Sequence, residues 1–255
     1  MTARVVRMFY TVNYPNEHNR VAEHAEPVTT QINGFRLTVT ARMLTAEPDD
    51  EYADVDAARS VLEPALRAWE AKSELIDRVR ISFDYSYPKM EYTQPEDGTV
   101  TGAVRATLGA ASLTAVATVE HGMFPTPDAR LTQEGMLAVQ LRDRWRQMEQ
   151  GKETLTGAAY FILTRVRHAP FVGNPKQAAG ALKITQPVLN KLGKLSSRSD
   201  PEHGRKVGQT DYPLTDAELA WLRAVLPVLI YRVLEYETGA SGLAQITVDQ
   251  LPPLP

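Results

Sequence analysis

Two prolines, Pro125 and Pro127, mark the place where the apolar period of the chain changes. Before them, short runs rich in Val, Thr, Phe and Tyr recur at the two-residue period of strands. After them, from 132 to 237, the period is helical, with Gly and Pro at the breaks. Side chains share a face every second residue in a strand and every third or fourth in a helix, so the change of period separates a part built on a sheet from a part built on helices. The expected class is therefore α+β: an N-terminal antiparallel sheet with a helix, followed by a helical C-terminal half. The expected division is 1–125, then 126–245, then an extended tail over 246–255 that ends in prolines.

The first half should open with extended runs at 4–14 and 29–43, folded back at Asn33-Gly34, a pair suited to the positive φ angles of a tight hairpin. From Asp54 the spacing turns helical, with Val55, Ala58, Leu62, Ala65, Leu66 and Trp69 on one side. Pro64 inside this pattern should kink the helix or open a second one. Strands are expected at 78–87, 99–107 and 112–120. In the first of these, Phe83, Tyr85 and Tyr87 should share one face, which would serve as a ligand-binding or RNA-stacking surface or, more simply, pack against the helix that carries Trp69. In the second half the pattern predicts helices over 132–149, 154–168, 175–183, 186–195 and 215–237.

Composition excludes more than it assigns. No cysteine occurs in the 255 residues, which removes disulfides, thiolate metal sites and cysteine nucleophiles together. The opening MTARVVRMFYTV has no signal-peptide pattern, and AVLPVLIY is far shorter than the roughly 20 residues of a spanning helix. A cytoplasmic protein is the expectation, with no membrane partner. His18 and His24 do not form a metal set, and His121, beside Glu120, has no suggested nucleophile. No G-x-S-x-G elbow, phosphate-cradling glycine loop or H-E-x-x-H is present. No cofactor, metal or catalytic residue is therefore assigned. An enzyme with a site at the junction of the two halves, lined by His121 and carboxylates, is the third-ranked reading.

The net charge of −3 conceals an asymmetry. Residues 160–210 carry nine Lys and Arg against only Asp200 and Glu202, a charge of +7, which leaves −10 on the rest of the chain. That split points to a face for an anion on an acidic body.

The stretch QAAGALKITQPVLNKLGKL, 177–195, lies in this basic segment. Ala178 and Ala179 are small enough to admit a second helix, Leu182 and Ile184 would seal a corner, and Thr185 is placed to cap the next helix. Leu189 and Leu192 would then face inward, leaving Gln186, Asn190, Lys191 and Lys194 outward, residue types that meet base edges and phosphates. The run AAGALKITQPVL resembles the DNA-binding helix-turn-helix of LysR-type transcription regulators. That resemblance implies a regulatory DNA-binding protein, with double-stranded DNA as partner. The helix over LTGAAYFILTRV would precede the motif, and SSRSDPEHGRKV would supply a basic wing around Asp200–Gly204. Arg198, Arg205 and Lys206 would reach phosphates. LysR-type proteins carry the motif at the N-terminus, before a large effector-binding domain, whereas here it follows an unrelated α+β part, so no effector chemistry transfers. Gly193 weakens a helix, and the alternative to a helix over 186–195 is a shorter one that ends near Leu192. INGFRLTV, LEPALRAWE and DQLPPLP resemble stretches of uncharacterised bacterial proteins, and no activity comes with them.

Along 215–237, Leu219, Leu222, Leu226, Leu229, Val233 and Tyr236 have the spacing of a coiled-coil seam. Two uses compete: packing within the chain, or a homodimer through 215–237. The alternative to DNA binding is a protein-interaction or structural module in which the corner only packs. The fate of Lys191 and Lys194 discriminates, exposed in one case and spent on acidic residues in the other.

Overall fold

Alternating apolar residues in the first half become the inner face of a five-stranded antiparallel sheet. The computed structural model describes residues 2–14, 27–40, 42–93, 124–168, 174–198 and 213–253. Its strands are β1 (Thr2–Asn13), β2 (Val28–Ile32), β3 (Phe35–Thr40), β4 (Met43–Pro48) and β5 (Ser82–Thr93), in the order β2-β3-β4-β1-β5. Asn33 and Gly34 join β2 to β3 with φ of 48° and 76°, as a type I′ hairpin requires. The runs expected on either side of Asn33-Gly34 are β2 and β3, and β4 is an addition: only Leu44 and Ala46 alternate inward along it, too short a signal to register in the sequence. The strands expected at 99–107 and 112–120 lie outside the described residues.

Two irregularities re-aim the sheet. Val5 pairs with Met90 and Arg7 with Lys89, so Val6 is an extra residue that lets Val5 and Met8 both face inward. Opposite the Phe9–Tyr10 step, Tyr85 pairs with Tyr10 and Tyr87 with Phe9, leaving Ser86 extra on β5. The face expected to hold Phe83, Tyr85 and Tyr87 is therefore split: Phe83 is buried, whereas Tyr87 turns away and stacks on Phe9 at 4.6 Å.

One continuous helix, α1 (Val55–Leu75), passes through Pro64. Proline costs it a single backbone bond, to Ser60, and the buried Leu62, Ala65, Leu66, Ala68 and Trp69 on either side hold the helix in one piece. Contacts divide the chain at this residue. One unit is 1–63 with 79–126, and the other is 64–78 with 127–255. In the first, the sheet's inner face holds Met8, Tyr10, Phe35, Leu37 and Leu44, all at most 1% exposed. Arg59 of α1 lies over the Tyr85 ring at 4.2 Å, and Asn33 donates to the Val61 carbonyl.

The second unit is helical: the end of α1, then α2 (Met136–Glu149), α3 (Leu155–Arg167), α4 (Pro175–Ala181), α5 (Gln186–Ser196), α6 (Asp216–Glu237) and a 3-10 turn at Val248–Gln250. α6 is buried along most of its length from Trp221 to Glu235, and α2, α3 and α5 pack on it. Leu222, Leu226, Leu229 and Val233 are all 0% exposed, so the apolar seam considered for a dimer is consumed inside this unit. Leu219 and Tyr236, the two ends of that seam, are partly buried. No described helix is long and apolar enough to cross a membrane.

Glu237 at the end of α6 caps α2, its carboxylate accepting from Leu137 N (3.0 Å) and Ala138 N (2.8 Å). It reaches them because Gly135 has no Cβ; one there would overlap the Glu237 side chain. Beside this cap, Arg142 and Glu134 form a pair (2.6 Å) whose side chains are 7% and 6% exposed, with Glu74 of α1 bonded to Arg146. Burial pushes the Glu134 carboxyl up to about 7, against the pull of Arg142.

Two outcomes follow. Gly135→Ala should destabilise the chain by about 2 kcal/mol in urea unfolding, since it displaces the cap as well as crowding it. Because the folded carboxyl of Glu134 titrates above its ordinary value, its contribution is full below about pH 4.5 and is lost as pH rises through about 7. The urea midpoint of the wild type should fall across that window relative to Glu134→Gln, and parallel curves would remove Glu134 as the cause.

Candidate nucleic-acid interface

α4 begins at Asn174, whose side chain accepts from Gln177 N at 2.9 Å, with Pro175 in its first turn. It ends in a Schellman motif: Ile184 N donates to Ala179 O (2.9 Å) and Lys183 N to Gly180 O (3.2 Å), with Lys183 at φ 51°. A lysine stands where glycine is the usual solution. Ala178, Ala179, Leu182 and Ile184 are buried.

Thr185 takes the N-cap position of α5, as expected, but its hydroxyl does not cap. It donates instead to Ile246 O at 3.1 Å, and Thr185 N donates to the same oxygen at 3.0 Å. Ile246 N in turn donates to Lys183 O at 2.8 Å, so Ile184 and Ile246 form a parallel bridge. The start of the expected extended tail is thus tied to the corner.

The inner side of α5, Val188, Leu189, Leu192 and Leu195, is at most 1% exposed. The helix expected over 186–195 runs through Gly193 to Ser196 rather than ending at Leu192. Gly193 faces α3, where a Cβ would touch Leu163 Cδ2 at 3.4 Å, so the glycine weakens the helix but admits its neighbour. Gln186, Asn190 and Lys194 are exposed on the outer side, and Lys191 is partly so. Gln186 Nε2 donates to Asn190 Oδ1 at 2.8 Å, linking the two amides across one helical turn. Neither Lys191 nor Lys194 makes an ion pair with a described residue.

The other cations of the basic segment divide. Lys176 and Lys183 are exposed. Arg165 is spent on Gln140 (2.8 Å) and Arg167 on Leu189 O (3.3 Å). Arg198 is held by Glu218 at 2.7 Å, the same glutamate that completes the capping box of α6 with Thr215. Arg205, Lys206 and the Asp200–Gly204 turn lie outside the described residues, as do His18, His24 and His121.

The residue that sequence reasoning missed is Arg232. Only 7% exposed, it donates through Nη1 to Leu182 O (3.0 Å) and Ala244 O (2.6 Å) and through Nε to Glu235 (2.9 Å). A charge inside the apolar run VLIYRVLEY, with Glu235 three residues on, was its signal. Glu235 also accepts from Arg130 (2.9 Å), and Arg130 grips Asp128, holding that carboxyl down at about 2.

Among the described residues, no group of three or more His, Asp or Glu is placed to hold a metal. A cavity of about 530 Å³ beside α2 and α3 is lined by Arg144, Glu153, Tyr160 and Phe161, but Arg144 is paired there with Glu153 and lies over the Phe161 ring at 4.9 Å. The chain matches no protein-family model, no curated protein and no solved structure.

Lys183→Gly removes the left-handed cost without touching the motif's hydrogen bonds, and should raise stability by about 1 kcal/mol. The urea midpoint should rise with its slope unchanged; no rise would mean that Lys183 makes compensating contacts.

Proposed function

We propose that this chain is a cytoplasmic DNA-binding protein, regulatory in role, that presents α5 to the major groove of double-stranded DNA. The observation that carries the reading is the outer side of α5. Its first two turns offer two exposed amides, Gln186 and Asn190, and Lys191 and Lys194 follow them without acidic partners among the described residues. Amides are matched to adenine edges, and lysines beyond them to phosphates. The resemblance of 177–195 to the LysR-type helix-turn-helix supports the same assignment. Arg205 and Lys206 would add phosphate contacts from the wing. Arg198 would have to leave Glu218 to do so, and its part is correspondingly small.

The pairing of Arg198 with Glu218, and the tie between the corner and Ile246, favour a second reading in which the corner is a packing unit or docks a protein.

Fluorescence anisotropy with mixed-sequence duplex DNA over a salt series separates the two. Four to six phosphate contacts should give a log–log slope of about −4 to −5, and Lys191→Ala/Lys194→Ala should flatten it by about 2. A folded chain that binds no duplex at low salt would leave the second reading standing.

A further inference from the structure

α4 has seven residues, and a helix so short cannot by itself fix the direction of the one that follows it. The turn after it contains a left-handed lysine, a strained choice. Yet the turn is bonded at both ends to one distant segment. Lys183 O accepts from Ile246 N, and Thr185 N and Oγ1 both donate to Ile246 O. Arg232 closes the same seam from inside the core. Its Nη1 spans the carbonyl of Leu182, one residue before Lys183, and that of Ala244, two residues before Ile246. Glu235 orients the guanidinium fork, and Arg130, locked on Asp128, orients Glu235.

We infer that residues 244–246 are a splint that sets the pose of α5 on DNA, with Arg232 as its positioning residue. The inference rests on the DNA-reading role proposed above. Gln186 begins one residue after the bonded Thr185, so a shift of the seam moves the two amides first. Reading a base edge requires placement within about 0.5 Å, whereas a lysine on a flexible stem reaches a phosphate from many poses. Loss of the splint should therefore lower discrimination between sequences and spare salt-dependent binding.

Ile246→Pro tests this by deleting the one N–H that bonds Lys183 O, with every charge left in place. Arg232→Lys is the second variant; it keeps the charge but cannot hold two carbonyls and Glu235 in one plane, and it carries the same comparison where the first fails to fold. The probes are a duplex recovered by the wild-type chain from a randomised pool, and mixed-sequence duplex as reference. Hydrogen exchange is followed at residues 183–190. Each variant should lose about tenfold or more in the affinity ratio of the two duplexes, with the salt slope on mixed duplex unchanged. Amides at the start of α5 should exchange about tenfold faster. An unchanged ratio with faster exchange overturns the positioning role. Should the wild type recover no duplex above background, the DNA reading fails, and exchange alone then judges the splint: unchanged protection in Ile246→Pro overturns it.

Discussion

The guanidinium of Arg232, on α6, ties the segment just after that helix to the end of α4, fifty residues earlier in the chain. Burying an unpaired charge costs several kcal/mol, and Arg232 escapes that cost only where two carbonyls and one carboxylate arrive together. The helix that bears it is held mainly by apolar contacts, which are non-directional and leave it freedom to slide or turn among its neighbours. The polar requirement removes that freedom. Its contribution is selection of one arrangement rather than strength, since apolar replacements of buried ion pairs are often no less stable. The Asp128–Arg130–Glu235 chain extends the same demand to the segment that leads into α2.

The charge of the basic segment, +7 by sequence, is not all available to a ligand. Arg198 closes a helix cap with Glu218, Arg167 binds a backbone carbonyl of α5, and Arg165 holds Gln140. What these arginines do is assemble the platform, and the lysines remain outside. The difference follows from side-chain chemistry: a planar fork suits fixed partners in a half-buried site, and a hydrated ammonium suits the surface.

Much of the fold was legible because it depends on local period and turn chemistry. The Asn33-Gly34 hairpin, the helices and the N-cap position of Thr185 are written in neighbouring residues. So were the corner's inner residues, from Ala178 to Leu192. The misses share a different cause. Ser86 as an extra residue on β5, and β4 as the strand between β3 and β1, are each decided by what lies across the fold. Arg232 was visible as a misplaced charge, but its partners, the carbonyls of Leu182 and Ala244, are backbone groups, which a sequence does not distinguish.

The division of α1 at Pro64 has a consequence for how the chain can come into being. Ribosomes release residues in order, so β1 to β5 are complete while most of the helical unit does not yet exist. The second half of α1, with Ala68, Ala71 and Leu75, then waits with its apolar side uncovered until α2 and α6 emerge. Nor can a cut at 126 yield two independent pieces. The front piece would keep those bare residues, and the rear piece would lack Glu74, the partner of Arg146. Two bodies by contact, the chain is one body by inheritance, because a single helix is the birthright of both.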